Sequence, residues 1–445
     1  MRILLTNSSL AARTGSELYV LDVARELLRG GHQPICYSPI LGEVAKELHQ
    51  ETIAVTDQLA NIQLVPDVIH GQHHMETLAA LMHFPGVPAI QYCHGWLPWQ
   101  EAPIDFPRVR HYVAVDRVGW ERLTTRHGIP ESRIATIPNF FDDSRFPQRK
   151  KPLPPKPTRS LVFSNAFEAQ AVPIRKACRH FGISVDVIGI GAGNIHTKPE
   201  LLLPDYHIVF ARGRAALEAM ACGAAVICCG LEGSGPLITS ANIDSLSDIN
   251  FGIRTSTGPC DASALSAQIE LYDRLDAEKV SARVRAEATV GGTVARLLEI
   301  YADAISSNDR QPSTVADEAQ AVSRYLRQWS PPFREWAEKS LQNERLAPEN
   351  RHLQYLAQQL ESELADARLQ VAAAQRDTTK LQQEIDQIHD SLTWRIPLAI
   401  MNWKPFGTTL SRISNRFRKK PPPPTSEEHA PHTTNDELRR VEVRS

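Results

Sequence analysis

The sequence has few of the features that mark secreted, membrane-spanning or nucleic-acid-binding proteins. Its seven cysteines are scattered and odd in number, and no Cys-x-x-Cys pair occurs, which favours free thiols in a reducing compartment. No apolar run is long enough to cross a bilayer. The formal net charge at pH 7 is only -2, so bulk charge gives no reason to expect a nucleic-acid partner. We therefore expect a cytoplasmic protein.

What the chain does contain is an alternation of short apolar segments and amphipathic helical segments. With 445 residues, 42% of them hydrophobic, it is long enough for two or three domains. Strands that alternate with helices predict an α/β protein with parallel sheets covered on both faces. Apolar runs predict strands at residues 2–6, 32–37, 67–70, 89–92, 111–116, 160–164, 185–190, 207–210 and 225–229.

The clearest unit of this kind is residues 207–229, HIVFARGRAALEAMACGAAVICC. An apolar run ends at Phe210, and a break follows at 211–213. Residues 214–222 are rich in the strong helix formers Ala, Leu, Glu and Met, and Gly223 stands where a left-handed cap would end the helix. A second apolar run follows, so the unit is predicted to be strand, helix and strand in a parallel sheet.

The turn before this helix is a candidate anion site. It lies at the carboxyl end of a strand, where open α/β sheets bind ligands, and a helix start offers free N–H groups and a positive dipole end. Arg212 and Arg214 flank Gly213 in the turn, and Glu218 lies one turn into the helix. The alternative for the two arginines is a solvated surface pair.

The same segment resembles the donor-site signature of GT-B glycosyltransferases, in particular the family-4-like group. That signature is E-x7-E with a Leu-Glu-Ala-Met-Ala-Cys-Gly run; Glu218 is its second glutamate, and Phe210 stands where the first is usual. The resemblance implies two Rossmann-like doubly wound domains that face a central cleft. It also implies a nucleotide-diphosphate sugar as co-substrate, with no cofactor, and a retaining transfer without metal.

Within that resemblance, Glu218 is expected to accept hydrogen bonds from the donor's ribose hydroxyls. Arg212, Gly213 and Arg214 are expected to hold the diphosphate. Close relatives carry a glycine-arginine pair after the strand at 160–164, whereas residues 165–167 here are Asn-Ala-Phe. The arginines of the signature helix would then take over the phosphate contacts.

Two positions in the first domain also match the family. Gly15 stands at the first strand-to-helix turn, where the family's glycines approach the donor phosphates, although one glycine also suits any doubly wound domain. His94 follows the strand at 89–92 and resembles the family's cleft histidine. We expect it to be catalytic, because an imidazole can accept or donate a proton near pH 7. The alternative is a loop histidine that only bonds the backbone.

A glycine-rich stretch in the second domain is the last candidate part of the donor site. Residues 230–236, GLEGSGP, resemble the glycine loop that faces the donor in the family. Exposed N–H groups of Gly233, Ser234 and Gly235 would hold phosphate or sugar hydroxyls. The alternative is a flexible connection between elements.

Three histidines, His70, His73 and His74, invite comparison with a metal site. No carboxylate or cysteine lies at ligand spacing beside them, so we expect structural hydrogen bonds and no metal.

The tail has a different character from the first 306 residues. From Leu353 onward, apolar residues recur at alternating spacings of three and four, which predicts a weak coiled coil with Ala and Thr layers. The alternative is a single amphipathic helix folded onto the catalytic domains. Residues 391–420 combine Trp, Ile and Phe with seven Arg or Lys and no acid, a pattern typical of a helix on an anionic bilayer. A partner-binding or DNA-contacting basic arm is the alternative for this segment.

The predicted organisation has seven parts. They are an acceptor domain (1–146), a linker (147–159), a nucleotide-sugar domain (160–306), a helical connector interrupted at Pro331 and Pro332 (307–340), a coiled coil (341–392), a membrane-surface segment (393–420) and a disordered tail (421–445).

These expectations favour a glycosyltransferase of cell-surface polysaccharide synthesis that uses a saccharide or lipid-linked acceptor. The coiled coil would mediate self-association or bind a partner helix, and the basic segment would hold the enzyme at the inner face of the plasma membrane. A second hypothesis is a non-catalytic scaffold of the same shape, which recruits other transferases through its coiled coil. A third, a sugar-nucleotide epimerase, would turn over without an acceptor.

Overall fold

The computed structural model describes residues 1–95, 99–164, 171–189, 191–194 and 196–390. The chain divides into one compact unit, Met1–Phe333, and a second unit, Arg334–Ser445. The first unit contains both predicted α/β domains. None of the described helices is apolar over a length that would let it cross a membrane.

The first domain is built on a parallel sheet with the strand order β3-β2-β1-β4-β5-β6-β7. Its strands are β1 (Arg2–Thr6), β2 (Gln33–Tyr37), β3 (Ala54–Thr56), β4 (Val68–Gly71), β5 (Ala89–Cys93), β6 (Val109–Ala114) and β7 (Ile134–Thr136). Its helices are α1 (Gly15–Arg29), α2 (Glu43–Gln50), α3 (His74–His83) and α4 (Arg117–Glu121), and a π-turn over Arg122–Arg126 continues α4.

The second domain is built on a smaller sheet with the order β12-β11-β10-β8-β9. Its strands are β8 (Arg159–Phe163), β9 (Ser184–Ile188), β10 (Ile208–Ala211), β11 (Ala225–Gly230) and β12 (Gly233–Leu237), of which β12 alone is antiparallel to its described neighbour. Its helices are α5 (Ala171–His180), α6 (Gly213–Ala221), α7 (Ile243–Ser247), α8 (Ala262–Glu270) and α9 (Arg274–Glu287).

Each sheet separates two hydrophobic cores, as expected when helices cover both faces. In the first domain, Leu5 and Tyr92 belong to one core, and Leu4 and Tyr112 to the other. In the second domain, Val209 and Phe210 are adjacent on β10 and lie in opposite cores, because successive side chains of a strand point to opposite faces. The prediction of two doubly wound domains is confirmed.

The last two helices return to the first domain. Helix α10 (Val290–Arg310) buries Val294, Leu297 and Tyr301 in the first domain's core. Helix α11 (Val315–Asp390) begins on the same domain, where Ala321 is 1% exposed in the second core. The Arg108 guanidinium donates from Nε to Glu318 Oε1 over 2.7 Å and so holds the first turns of α11.

One expectation about the later part of the chain is wrong, and others fall on residues that the structure does not describe. Pro331 and Pro332 do not interrupt the helix, because α11 runs continuously through them. The aromatic rings of Trp329 and Phe333, on either side of the prolines, stack with centroids 5.9 Å apart. Residues 391–392 of the predicted coiled coil, the membrane-surface segment and the tail lie outside the described residues.

Candidate functional site

The signature segment forms the predicted strand, helix and strand. Strand β10 pairs in parallel with β11 on one side and with β8 on the other, and α6 starts just after β10. Strand β9 is added on one side of β8, and β10 and β11 are added on the other side, so the strand order switches between β8 and β10. Crevices at such switch points are where open α/β sheets bind ligands. The segment therefore lies where a donor site was expected.

The first amide of α6 is already occupied. Gly213 adopts φ +56°, a left-handed conformation that favours glycine, and its N–H donates to Phe251 O over 2.7 Å. Asn250 and Phe251 also have positive φ, and Asn250 Oδ1 accepts from the N–H of Asn139 over 3.1 Å. Gly213 thus supplies the turn geometry, and the expectation of a free N–H at this residue is wrong.

Arg214 connects the two domains. Its side chain is 13% exposed, and it forms ion pairs with Asp22 of α1 and with Glu218, the latter from Nε to Oε1 over 2.8 Å. Burial would lower the pKa of Arg214, but the charges of Asp22 and Glu218 raise it above its ordinary value. Nη1 of Arg214 is buried without a hydrogen-bond partner among the described residues. The guanidinium therefore stays charged and keeps one donor nitrogen uncommitted.

Glu218 is buried beside the ion pair between Arg214 and Asp22. It is 6% exposed, and burial raises the pKa of its carboxyl group even though Arg214 opposes the shift. Its position near Asp22 places the signature glutamate at the boundary between the domains.

Arg212 is held on its own domain. It forms an ion pair with Glu232 and packs against Gly230, where an added Cβ would lie 2.9 Å from Arg212 Cδ. Because a carboxylate faces each of Arg212 and Arg214, the site has less positive charge than the sequence suggested.

The glycine stretch is an edge strand. Ser234 donates its N–H to Gly258 O over 3.0 Å and its hydroxyl to Pro259 O over 2.6 Å, and its side chain is buried. A Cβ at Gly233 would lie 2.1 Å from Gly258 O, and one at Gly235 would lie 1.9 Å from Thr255 O. The expectation of an exposed loop N–H at Ser234 is therefore wrong, and close packing explains both glycines.

Gly15 lies in open space at the start of α1. An added Cβ would meet no atom within 4 Å. Thr14 and Glu17 cap the helix reciprocally, and Glu17 also accepts the N–H groups of Ala11 and Ala12, so this loop is ordered by a buried carboxylate. The proposed role of Gly15 in donor binding stays a prediction.

His94 lies at the carboxyl edge of the first sheet, on the side that faces Arg214. Its Nε2 is 2.9 Å from Gln72 Oε1, and its ring contacts Tyr19 edge-on at a centroid distance of 4.6 Å. Burial holds the pKa of His94 well below its usual range, and the charges of His73, His70 and Arg214 act in the same direction. His94 is thus neutral at pH 7 and close to the cross-domain arginine.

The other histidines make structural contacts. His70 Nδ1 lies 2.5 Å from Tyr301 Oη, and His74 Nδ1 lies 2.6 Å from Tyr325 Oη, so both tie the sheet edge to α10 and α11. His73 Nδ1 accepts the N–H of Ser8 over 3.0 Å. Burial lowers the pKa of His70 to about 3 and those of His73 and His74 to about 4. Within the described ranges, no group of three or more His, Cys, Asp or Glu is placed to hold a metal ion.

Known proteins provide an independent comparison for this geometry. Residues 13–145 match the model of Glycosyltransferase Family 4. A glycosyltransferase from Rickettsia africae is similar over 70% of this chain and 99% of its own, with a TM-score of 0.53 and 16% identity. Alr3699/HepE from Anabaena, solved with UDP, is similar over 68% of this chain and 100% of its own, with a TM-score of 0.51 and 15% identity.

The chain has the GT-B fold, which it shares with these two structures. The family match falls on the first domain, and the two structures show the fold of both domains together. Among curated protein sequences, none matches this chain.

One position departs from the GT-B family-4 signature in a way that the structure explains. Phe210 lies within β10, is 0% exposed and packs in the second domain's core with Val162 and Ile227. It cannot contact a ligand between the domains. If this GT-B protein binds a donor sugar, another residue must make the hydrogen bond to the sugar that the missing glutamate would make.

Sequence reasoning missed the partners of the signature residues. Asp22 is wholly buried on α1 and lies near Arg25, Arg145 and Arg214, with Oδ1 3.4 Å from Arg145 Nη1. The sequence did hold a signal for Asp22: an acidic residue stands between the apolar residues Leu21 and Val23 on a largely buried helix, and a buried carboxylate needs a partner. Gln72 follows the predicted strand at 67–70, but sequence reasoning assigned it no role and did not pair it with His94.

Proposed function

We propose that this chain transfers a sugar from a nucleotide-diphosphate sugar to a saccharide or lipid-linked acceptor. The observation that carries the proposal is the position of Arg214 and Glu218 on α6 against α1 of the first domain, with Nη1 of Arg214 uncommitted. The GT-B fold and the UDP held by the similar Alr3699/HepE structure support it.

The proposed chemistry follows from this arrangement. Negative charge develops on the diphosphate as it leaves, and a preformed cation at that point lowers the barrier. The guanidinium can donate Nη1–H to a phosphate oxygen in a charge-assisted hydrogen bond. Glu218 would accept from ribose hydroxyls, and neutral His94 would face the acceptor.

Calorimetry with UDP, GDP, ADP and dTDP tests the proposal. We expect one of these nucleotides to bind the wild-type chain, and Glu218→Ala to weaken that binding about tenfold or more, since a buried carboxylate's hydrogen bonds are lost. Glu278→Ala, on the exposed face of α9, is the matched control and should bind like the wild type. A panel of the corresponding nucleotide sugars, scored for hydrolysis and transfer, then identifies the donor.

A retaining transfer without metal is part of the proposal. Proton NMR of the first-formed product should show the anomeric configuration of the donor, and excess EDTA should leave turnover unchanged. Loss of activity in EDTA with recovery on adding Mg²⁺ would contradict metal independence.

The second candidate is a non-catalytic scaffold of the same shape. It is favoured by Phe210 in the core and by the carboxylates that face both arginines. A chain that binds no nucleotide diphosphate and hydrolyses no nucleotide sugar, yet associates with transferases, would support the scaffold over the enzyme.

We further propose a cytoplasmic enzyme of cell-surface polysaccharide synthesis that is peripheral to the inner face of the plasma membrane. The proposal rests on the basic, Trp-containing segment 391–420, which lies outside the described residues. Sedimentation with phosphatidylglycerol vesicles, with and without residues 391–420, tests it. Equal partition of the two forms would contradict the membrane role.

A further inference from the structure

Two cysteines of the second domain have their sulfur atoms side by side. Cys229 lies near the end of β11 and Cys260 lies two residues before α8. Their Sγ atoms are 3.9 Å apart although 31 residues of sequence separate them. Both side chains pack in the same hydrophobic core. Neither thiol takes part in the proposed transfer, so what the pair can do follows from its own chemistry.

The alternation of β11 assigns this contact to Cys229 and excludes its neighbour in the sequence. Successive side chains of a strand point to opposite faces of the sheet. Cys228 accordingly lies in the core on the other face, while Cys229 lies in the core that Cys260 joins. Cys260 can therefore pair with Cys229 and not with Cys228.

The two thiols differ in their access to solvent. Cys229 is 0% exposed, whereas Cys260 is partly exposed. A dissolved disulfide can therefore reach Cys260 but not Cys229. This makes Cys260 the thiol that reacts first, and it places Cys229 where a second, resolving thiol is needed.

The backbone beside Cys260 can bring the two sulfur atoms into bonding distance. A disulfide bond is about 2 Å long, so the sulfur atoms must approach by roughly 2 Å. Gly258 is fixed by its bridge to Ser234, and α8 begins at Ala262, but Cys260 lies in irregular structure between these two points. Rotation about χ1 of either cysteine adds to the reach. The bond therefore needs only a local adjustment of the segment before α8.

We propose that Cys229 and Cys260 form a reversible disulfide when glutathione disulfide accumulates. The thiolate of Cys260 attacks one sulfur of glutathione disulfide, so that a mixed disulfide forms and the first glutathione leaves. The thiolate of Cys229 then attacks Cys260 Sγ and displaces the second glutathione. Two protons and two electrons pass from the cysteines to glutathione, which balances the reaction. This inference does not depend on the proposed transferase function.

The rate of the reaction should depend strongly on pH. Burial raises the pKa of the Cys260 thiol, although its contact with Cys229 acts in the opposite direction. Burial also raises the pKa of the Cys229 thiol. Because the thiolate is the attacking species, exchange is slow at pH 7 and accelerates about tenfold per pH unit until the pKa is reached.

The bridge fastens the edge of the second sheet. Cys229 pairs with Ser234 of β12, and Ser234 bridges on its other side to Gly258. A bond from Cys229 to Cys260 thus joins β11 to the segment that borders β12. It also closes a loop of residues 229–260 in the unfolded chain, so the oxidised protein should be the more stable form.

Mass spectrometry of the full chain tests the proposal without a variant. The reduced, folded chain is incubated overnight with glutathione disulfide at pH 8.5, and the remaining thiols are then blocked with N-ethylmaleimide in urea. We expect a chain that has lost two hydrogen atoms, carries no glutathione and has five of its seven thiols blocked. Dithiothreitol should restore all seven. A chain that keeps one glutathione, links to a second chain or does not react would overturn the proposal.

Alanine variants identify the two sulfur atoms. Cys229→Ala should stop after the first step and keep one glutathione on Cys260, whereas Cys260→Ala should take up none because Cys229 is buried. Cys228→Ala, which changes the adjacent residue on the other face, is the matched control and should form the bridge like the wild type. A bridge that persists in Cys229→Ala, or that is lost in a folded Cys228→Ala, would contradict the assignment.

Thermal melts measure whether the bond suits the native fold. Oxidation should raise the melting temperature of the wild type by about 2 °C or more and leave that of Cys260→Ala unchanged. A fall in the wild type on oxidation would show that the fold must distort to form the bond, and would contradict a native contact that is ready for it. None of these measurements reads enzymatic activity, so their failure is distinct from a failure of the proposed transferase.

Discussion

At the scale of single residues, the boundary between the two domains depends on buried charge. Asp22 is 0% exposed in its side chain and balances Arg214 from the other domain, with Arg145 and Arg25 close by. Buried ion pairs are seldom a net gain over apolar packing, but removing one partner leaves an uncompensated charge. Asp22 therefore determines where the guanidinium of Arg214 lies.

We predict that Asp22→Ala lowers the free energy of unfolding by about 3 kcal/mol, because Arg214 is left buried without its cross-domain carboxylate. Urea denaturation followed by circular dichroism measures the change. Asp244→Ala is the control: Asp244 is 77% exposed and pairs with a half-exposed Arg283, so it should cost less than about 1 kcal/mol. Equal effects of the two substitutions would contradict the role of Asp22.

Glu101 gives a prediction about pH. It is 6% exposed, and burial raises the pKa of its carboxyl group from 4.5 to about 7, although the N–H of Gly95 and the charge of Arg122 oppose the shift. Because the folded-state pKa is the higher one, the folded protein holds this proton more tightly. The stabilisation is complete below pH 4.5 and is lost as the pH rises through 7.

Glu101→Gln should therefore raise the melting temperature by a few degrees at pH 8 and by little at pH 5, since the neutral amide avoids the cost of a buried charge. Differential scanning calorimetry of both proteins at the two pH values measures the difference. A variant less stable than the wild type at pH 8 would show that the carboxylate's bond to Gly95 outweighs its burial.

At the scale of elements, β12 is a strand whose glycine-rich sequence gives no strand pattern and whose conformation depends on pairing with distant backbone. One edge of β12 pairs with β11. On the other edge, its glycines lie against backbone oxygens of residues 255–258, and Ser234 bridges to Gly258. Glycine offers no side-chain alternation, and a glycine-rich edge strand is therefore hard to distinguish from a loop by pattern. The pairing with β11 and with the segment at Gly258 decides the conformation.

We predict that Gly235→Ala destabilises the protein by about 3 kcal/mol, because its Cβ would overlap the carbonyl oxygen of Thr255. Gly15→Ala, in the first turn of α1 with open space around it, should leave stability unchanged or raise it by up to ~1 kcal/mol. Thermal melts compare the two. If Gly15→Ala weakens nucleotide binding without loss of stability, its proposed place beside the donor gains support.

At the scale of the whole molecule, α11 presents apolar residues that no other described part of the chain covers. Within the helix, Leu360, Leu364, Val371 and Leu381 are each at least half exposed, and they occupy the heptad positions expected of a coiled coil. A single helix with such a stripe gains stability only by pairing with another helix. The coiled coil stays a prediction, and its partner is either a second copy or another protein.

We predict that the full chain forms oligomers and that a chain of residues 1–333 is monomeric, as measured by light scattering after size-exclusion chromatography. The shorter chain should keep its melting temperature, since Glu318 and Ala321 still cover the first domain. A chain of residues 1–312 serves as the contrast and should be less stable, because Arg108 loses its carboxylate. A monomeric full chain would rule out self-association through α11.

The local pattern of the sequence determined most of the secondary structure and the class of fold. Apolar runs marked the central strands, and the helix formers between Gly213 and Gly223 marked α6. These elements follow from local propensity and from the burial of one apolar face, both of which can be read within about ten residues. The signature identified Glu218, and the resemblance of the loop after the strand at 89–92 identified His94; the fold brings both to the boundary between the domains.

Only the tertiary structure decided how those residues are partnered. Arg214 meets Asp22 across 192 residues of sequence, and no local pattern encodes the relative position of two domains. Asn7 and Gln72 become neighbours because β1 pairs with β4, and β12 is a strand because its edges are satisfied by distant backbone. The sequence determines which side chains can carry charge or form hydrogen bonds. Their burial and their partners arise only when the chain is packed, and these determine the pKa of each group and whether it is free to bind a ligand.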